Sequence, residues 1–209
     1  MTTTNPLIPK NARQIFIDGP VGRLDCLELS PAGDVIGIAI IAHPDPKGGG
    51  TNTNKIVQTI AKVLTQKGYL CYCPNLRGVG LSDGVHDMGI GEVADAKAIH
   101  NFIRKEHPNV PLILAGFSFG TSVVSNLAIQ VEYKQLILIG PAVSRYHVTV
   151  TDITKTIVIH GEEDEVIPLA EVFKWGRENN QAIIWYPSTG HFFHGKIIGL
   201  ANLLSQLIL

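Results

Sequence analysis

The 209-residue sequence is poor in several things, and each shortage excludes a class of protein. It holds three cysteines, Cys26, Cys71 and Cys73. The number is odd and the spacing suits neither a disulfide framework nor a metal site, so they read as core thiols. Charged residues make up only 17% and the formal net charge is -1. That leaves no basic surface for nucleic acid and no acidic tail. The longest apolar run, residues 35–42, is far below the roughly 18 residues that a spanning helix needs. Residues 1–6, Met-Thr-Thr-Thr-Asn-Pro, lack a basic-then-apolar leader pattern, so the expected location is cytoplasmic and reducing. No repeat, linker or low-complexity stretch interrupts the chain.

What is present is a core-forming composition. Hydrophobic residues make up 45%, which excludes a disordered chain and suits one compact domain over residues 1–209. Residues 14–19 and 23–29 alternate and flank Gly19-Pro20, an antiparallel pair near a sheet edge. Residues 35–42 are apolar throughout, as a strand covered on both faces must be. Further strands are expected at 69–74, 111–116, 135–140, from 156 and from 182. Helical spacing of apolar residues covers 54–66, 92–106, 121–129, a stretch from about 168, and 195–207. In the last, Ile197, Ala201, Leu204 and Ile208 form one stripe. Alternating strands and helices imply an α/β fold: a mostly parallel central sheet of about eight strands with helices on both faces.

Three segments carry chemistry. Gly116-Phe117-Ser118-Phe119-Gly120 stands between a strand and a helix. There a Gly-x-Ser-x-Gly turn lifts a serine hydroxyl above the sheet, and the glycines make room for it. Taken alone, the pattern is a common turn. Downstream, His160-Gly161-Glu162-Glu163-Asp164 follows an apolar strand, and Gly190-His191-Phe192-Phe193-His194 follows another. Serine, acid and histidine then come in the order this architecture requires.

With two more segments the chain resembles the α/β-hydrolase superfamily. These are His43-Pro44-Asp45 and Asn75-Leu76-Arg77-Gly78-Val79-Gly80. The likeness is to a small capless group, dienelactone-hydrolase- or esterase-like, with a His-Pro oxyanion loop and an Asn-x-Arg-Gly-x-Gly motif. It extends over most of the chain. The group's pattern has a second histidine where this sequence has Asp45.

The resemblance implies Ser118 as nucleophile, His191 as base and Asp164 as its partner, with the backbone N–H groups of Phe119 and Asp45 as oxyanion donors. Glu162, Glu163 and Glu165 are rivals for the acid role and otherwise read as solvated loop charges. His194 competes with His191. His43 and His160 read as structural, and Arg77 and Asp83 as holding their glycine-rich turn. Phe117, Phe119, Phe192 and Phe193 either line an acyl site or pack.

The expected activity is cleavage of a carboxylic ester or thioester of a small soluble molecule through an acyl-enzyme. A peptidase, amidase or acyltransferase using the same residues is the alternative, as is a non-catalytic binding protein of this fold. No metal or other cofactor is expected: the histidines are scattered, and Gly48-Gly49-Gly50 lacks the Lys-Ser/Thr of a phosphate loop. Residues 141–155 are too few for a helical lid. The site should then be open, walled by the loops around Asp45, Arg77 and Phe192. Short acyl groups should be preferred, with efficiency falling past about six to eight carbons.

Overall fold

The computed structural model describes residues 12–208, so the leader reading of residues 1–6 lies outside the described residues. The strands are β1 (Ala12–Gly19), β2 (Gly22–Leu29), β3 (Gly37–Ala42), β4 (Tyr69–Pro74), β5 (Leu112–Phe117), β6 (Gln135–Ile139), β7 (Thr156–Gly161) and β8 (Ile184–Tyr186). The helices are α1 (Lys55–Gln66), α2 (Ile90–Glu106), α3 (Phe119–Ala128), α4 (Leu169–Glu178) and α5 (Ile197–Leu207). All eight strands form one sheet in the order β1-β2-β4-β3-β5-β6-β7-β8. β1, β2 and β4 pair antiparallel, and every pairing from β4 across to β8 is parallel.

Strand periodicity sorts the core into two layers. In β3, Ile38, Ile40 and Ala42 face the layer covered by α2, α3 and α4, while Ala39 and Ile41 face the layer of α1 and α5. β5 and β6 alternate in the same way, with Leu112, Leu114, Leu136 and Leu138 on the first face and Ile113, Ala115, Ile137 and Ile139 on the second. Successive side chains of a strand point to opposite faces, so strands that are apolar throughout need cover on both sides. Cys26, Cys71 and Cys73 are buried free thiols within these layers.

Several boundaries differ from those expected. Val35 and Ile36 precede the strand and are exposed; pairing begins at Gly37, where any Cβ would strike the ring of Tyr69. The last strand is cut to three residues, Ile184–Tyr186, at the sheet edge. α2 starts two residues early because Glu92 caps it, accepting from the N–H of Gly89 at 2.8 Å and of Asp87 at 2.7 Å. α3 starts at Phe119, directly after Ser118, and α5 at Ile197. The buried stripe of α5 is Leu200 and Leu204, with Ile197 and Ala201 partly covered.

Candidate active site

In an open parallel sheet the carboxyl ends of the strands all point one way, and ligands bind in the crevice there. The segments after β3, β5, β6, β7 and β8 converge on that edge. Ser118 caps α3 with φ 54° and ψ -120°, a conformation that a residue with a side chain adopts only under constraint. The constraint is close packing. A Cβ at Gly116 would meet the Gly120 carbonyl, and one at Gly120 would meet the carbonyls of Ala42 and His43. The two glycines let strand, helix and the loop after β3 touch backbone to backbone.

Ser118 Oγ lies 3.0 Å from His191 Nε2. His191 Nδ1 lies 2.7 Å from Asp164 Oδ2. Asp164 Oδ1 accepts from the N–H groups of Val166 at 2.9 Å and Ile167 at 2.7 Å. Burial acts to raise the Asp164 pKa, but the bonds from His191 and Ile167 outweigh it and hold the carboxyl below its ordinary range. All three side chains are nearly buried.

The His191 ring sits between Phe117, at 5.0 Å, and Phe192, edge-on at 5.1 Å. Gly140 leaves space beside it, since a Cβ there would come within 3.3 Å of Cε1. Phe193, buried among α1 and α5, anchors the loop that carries His191. Phe117 and Phe119 are also buried, and only Phe192 of the four aromatics faces solvent. His194 is exposed and stacks on Phe192, so the structure brings His191 and not His194 to the serine.

Two of the glutamates are more than solvated charges. Glu165 Oε2 accepts from the N–H of His191 at 3.2 Å, and Glu162 Oε2 from that of Ser188 at 2.8 Å. Both brace the histidine loop from behind, a role that nothing in their spacing announces.

The loop after β3 packs against the same corner. Phe119 opens α3, so its N–H has no acceptor within the helix. Asp45 turns its carboxylate back, accepting from Lys47 N at 2.8 Å and from the Tyr146 hydroxyl at 2.9 Å. Burial, aided by that bond to Asp45, pushes the Tyr146 hydroxyl up to about 12. Nothing in the sequence marks Tyr146, which stands 101 residues from its partner. His43 is fully buried: Nε2 accepts from Leu76 N at 3.1 Å, so Nδ1 carries the proton and donates to Pro44 O at 2.7 Å. It ties the loop after β3 to the loop after β4.

Arg77 does not wall the site. Its guanidinium grips Asp95 of α2 through Nε at 2.9 Å and Nη2 at 2.7 Å, while Asp83 accepts from Arg23 N at 2.7 Å. On that side the turn before α2 packs on Phe119, with the His86 ring edge-on at 5.2 Å. Residues 141–155 contain turns only, so that connection builds no helical lid over the edge. Among the described residues no group of His, Cys, Asp and Glu is arranged to hold a metal ion, and no helix is long and apolar enough to cross a membrane.

A family model described as serine aminopeptidase, S33, matches residues 47–155. The crystal structure of an α/β serine hydrolase without lid from Xanthomonas campestris is 36% identical, covers 97% of this chain and 95% of its own, and superposes with a TM-score of 0.88. An uncharacterised Rickettsia prowazekii protein is 35% identical over 136 residues, 64% of this chain and 57% of that protein. A monoacylglycerol lipase of Mycolicibacterium smegmatis is 29% identical over 122 residues, 56% of this chain and 42% of the lipase. The match thus spans about half the length of these two curated relatives. The family model and the Xanthomonas structure together establish that the chain belongs to the α/β-hydrolase superfamily, in its α/β serine hydrolase family.

Proposed function

We propose that the protein hydrolyses a carboxylic ester or thioester of a small molecule, with Ser118 as nucleophile, His191 as base and Asp164 as the partner that orients it. The observation that carries this reading is the unbroken relay from Ser118 Oγ through His191 to Asp164, at 3.0 and 2.7 Å. A serine hydroxyl is a weak nucleophile without a base in hydrogen-bond reach, and here the base is itself held in one tautomer by a carboxylate.

The Ser118 oxygen attacks the acyl carbon while its proton passes to His191 Nε2. The N–H groups of Phe119 and Asp45 take the developing oxyanion; such donors are each worth about 2.7–4 kcal/mol in acyl transfer. His191 returns the proton to the leaving oxygen or sulfur as that bond breaks, leaving an acyl-serine. Water then attacks, giving its proton to His191. The acid departs, and Ser118 recovers its proton from the same nitrogen. The positive end of α3 points at this oxyanion position and favours it.

The curated relative described as a monoacylglycerol lipase supports ester chemistry. The family model's description as an aminopeptidase favours amide cleavage as the second reading. A fluorophosphonate probe should label the protein at Ser118 and nowhere else. Esters and thioesters should turn over faster than matched anilides. Labelling without ester turnover, but with anilide cleavage, would favour the second reading; no labelling at all would favour a binding protein.

A further inference from the structure

A groove of about 560 Å3 runs beside the candidate site along α3. That volume lies within the usual range for small-molecule sites. Its floor is the helix face carrying Ser122 and Asn126, one and two turns beyond Ser118, and its far end is Ile129. Residues four apart on a helix share a face, so Ser122 and Asn126 stand side by side along α3, the helix that Ser118 precedes. From Ser122 to Ile129 the floor extends roughly 10 Å at the helical rise.

The opposite wall is the turn before α2, and that turn is held in an unusual shape. Met88 and Gly89 both have left-handed backbones, φ 54° and 99°. The buried Glu92 carboxylate fastens this turn through the N–H groups of Asp87 and Gly89. The result presents Met88 and Ile90 to solvent, 52% and 79% exposed, across from Ile129 at 57%. Gly89 lines the near end beside Phe119 and Ser122, and its φ of 99° is one that a residue with a side chain rarely adopts. The polar floor is already satisfied: Ser122 Oγ and Asn126 Nδ2 both donate to the carbonyl of His147 at 2.8 Å. Gln130, Arg145 and His147 also line the groove, and what the rest of it offers a ligand is apolar surface.

The near end of the groove belongs to the oxyanion corner. Met88 Sδ touches Lys47 Nζ at 3.1 Å, and Tyr146, which also lines the groove, holds Asp45. His191 must hand its proton to the leaving oxygen, so the alcohol departs on the side of His191 and Phe192. The acyl chain then points the other way, toward Met88 and Tyr146.

We propose that this groove receives an apolar acyl chain of medium length, making the preferred substrate an ester of a medium-chain fatty acid. The proposal rests on Ser118 as the nucleophile. It reverses the size preference expected from the missing lid: the apolar walls come from the turn before α2, which the length of the 141–155 connection says nothing about.

The test is kcat/KM for p-nitrophenyl esters from acetate to dodecanoate, each below its micelle concentration, beside a series of alkyl acetates with growing alcohols. Burying a methylene is worth ~0.8 kcal/mol, about fourfold, so in an open groove roughly two- to fourfold per added carbon is expected along the acyl series. Ile90→Asp combined with Ile129→Asp should flatten that rise. Ile198→Asp, an equally exposed position on α5, should leave it intact. A flat or falling acyl series, a rise in the alcohol series alone, or an unchanged slope in the double variant would overturn the proposal. If no ester is turned over and no fluorophosphonate labels Ser118, the hydrolase reading itself fails. Calorimetric titration with dodecanoate then decides the groove: saturable binding lost in the double variant supports it, and absence of binding to the wild type overturns it.

Discussion

His160 and His191 meet on one oxygen. His160 Nε2 lies 3.4 Å from Asp164 Oδ2, the atom that His191 Nδ1 approaches at 2.7 Å. His160 is fully buried, and its Nε2–H donates chiefly to Ile167 O at 2.9 Å. Burial lowers its pKa, against the opposing pull of Asp164, so the ring is neutral at pH 7. A neutral donor on that side steadies the carboxylate without competing for its charge. His160→Phe keeps the bulk and removes the N–H. It should lower kcat about tenfold with KM little changed, and displace the acidic limb of the kcat/KM profile. A folded variant with the wild-type pH profile would reduce His160 to packing.

Ser118→Ala should lower ester turnover by at least about a thousandfold while the melting curve stays close to wild type. Because nucleophile and base act as a unit, adding His191→Ala should cost little more. Activity measured in the single and double variants checks this. Additive losses would mean that His191 serves another nucleophile.

Asp164→Asn should lower kcat by roughly 10⁴, since the amide no longer fixes the imidazole tautomer. Glu162→Gln and Glu165→Gln should be mild, because the glutamine carbonyl still accepts the Ser188 and His191 N–H groups. Steady-state kinetics of the three variants separate the roles. Near-normal kcat in Asp164→Asn, with collapse in a glutamate variant, would move the acid to that glutamate.

His43 makes stability pH-dependent. Burial, opposed chiefly by its bond to Pro44, lowers its pKa to about 4 from an ordinary 6.5. Between those values the unfolded chain holds a proton that the folded chain excludes, so stability is present above pH 6.5 and is lost as pH falls toward 4. This group alone should cost about 2 kcal/mol between pH 7 and pH 5. Urea melts at the two values measure it, and His43→Asn should show a visibly smaller drop. An equal drop in that variant would assign the dependence to His160 or His100, which are also lowered by burial.

The residues of the elbow were readable because their constraint is local. A strand, a tight turn and a helix leave room for glycine at 116 and 120, whatever the rest of the chain does. The layered sheet was readable for a similar reason: apolar runs such as 135–139 need cover on both faces, and helices with apolar stripes supply it. The order of Ser118, Asp164 and His191 also lay open, since each follows its own strand and parallel strands deliver their ends to one edge.

Element ends were less readable. Ile36 is as apolar as Ile38, yet it is exposed and the strand begins at Gly37; Glu92 looks like an ordinary helix residue until its carboxylate is seen capping the turn before it. Most other contacts between distant segments were not readable. Tyr146 on Asp45, His43 on Leu76 and Glu165 on His191 join residues 101, 33 and 26 positions apart. No period or spacing encodes such pairs, because they depend on how helices and loops settle on the finished sheet. By itself, then, the sequence determined an α/β sheet with a serine elbow and its two partners downstream, since propensity, periodicity and strand direction are properties of the chain. Only the tertiary structure decided which acid and histidine meet the serine, what braces them, and that a groove walled in part by Met88, Ile90 and Ile129 opens along α3, because those follow from packing between elements that are neighbours only in space.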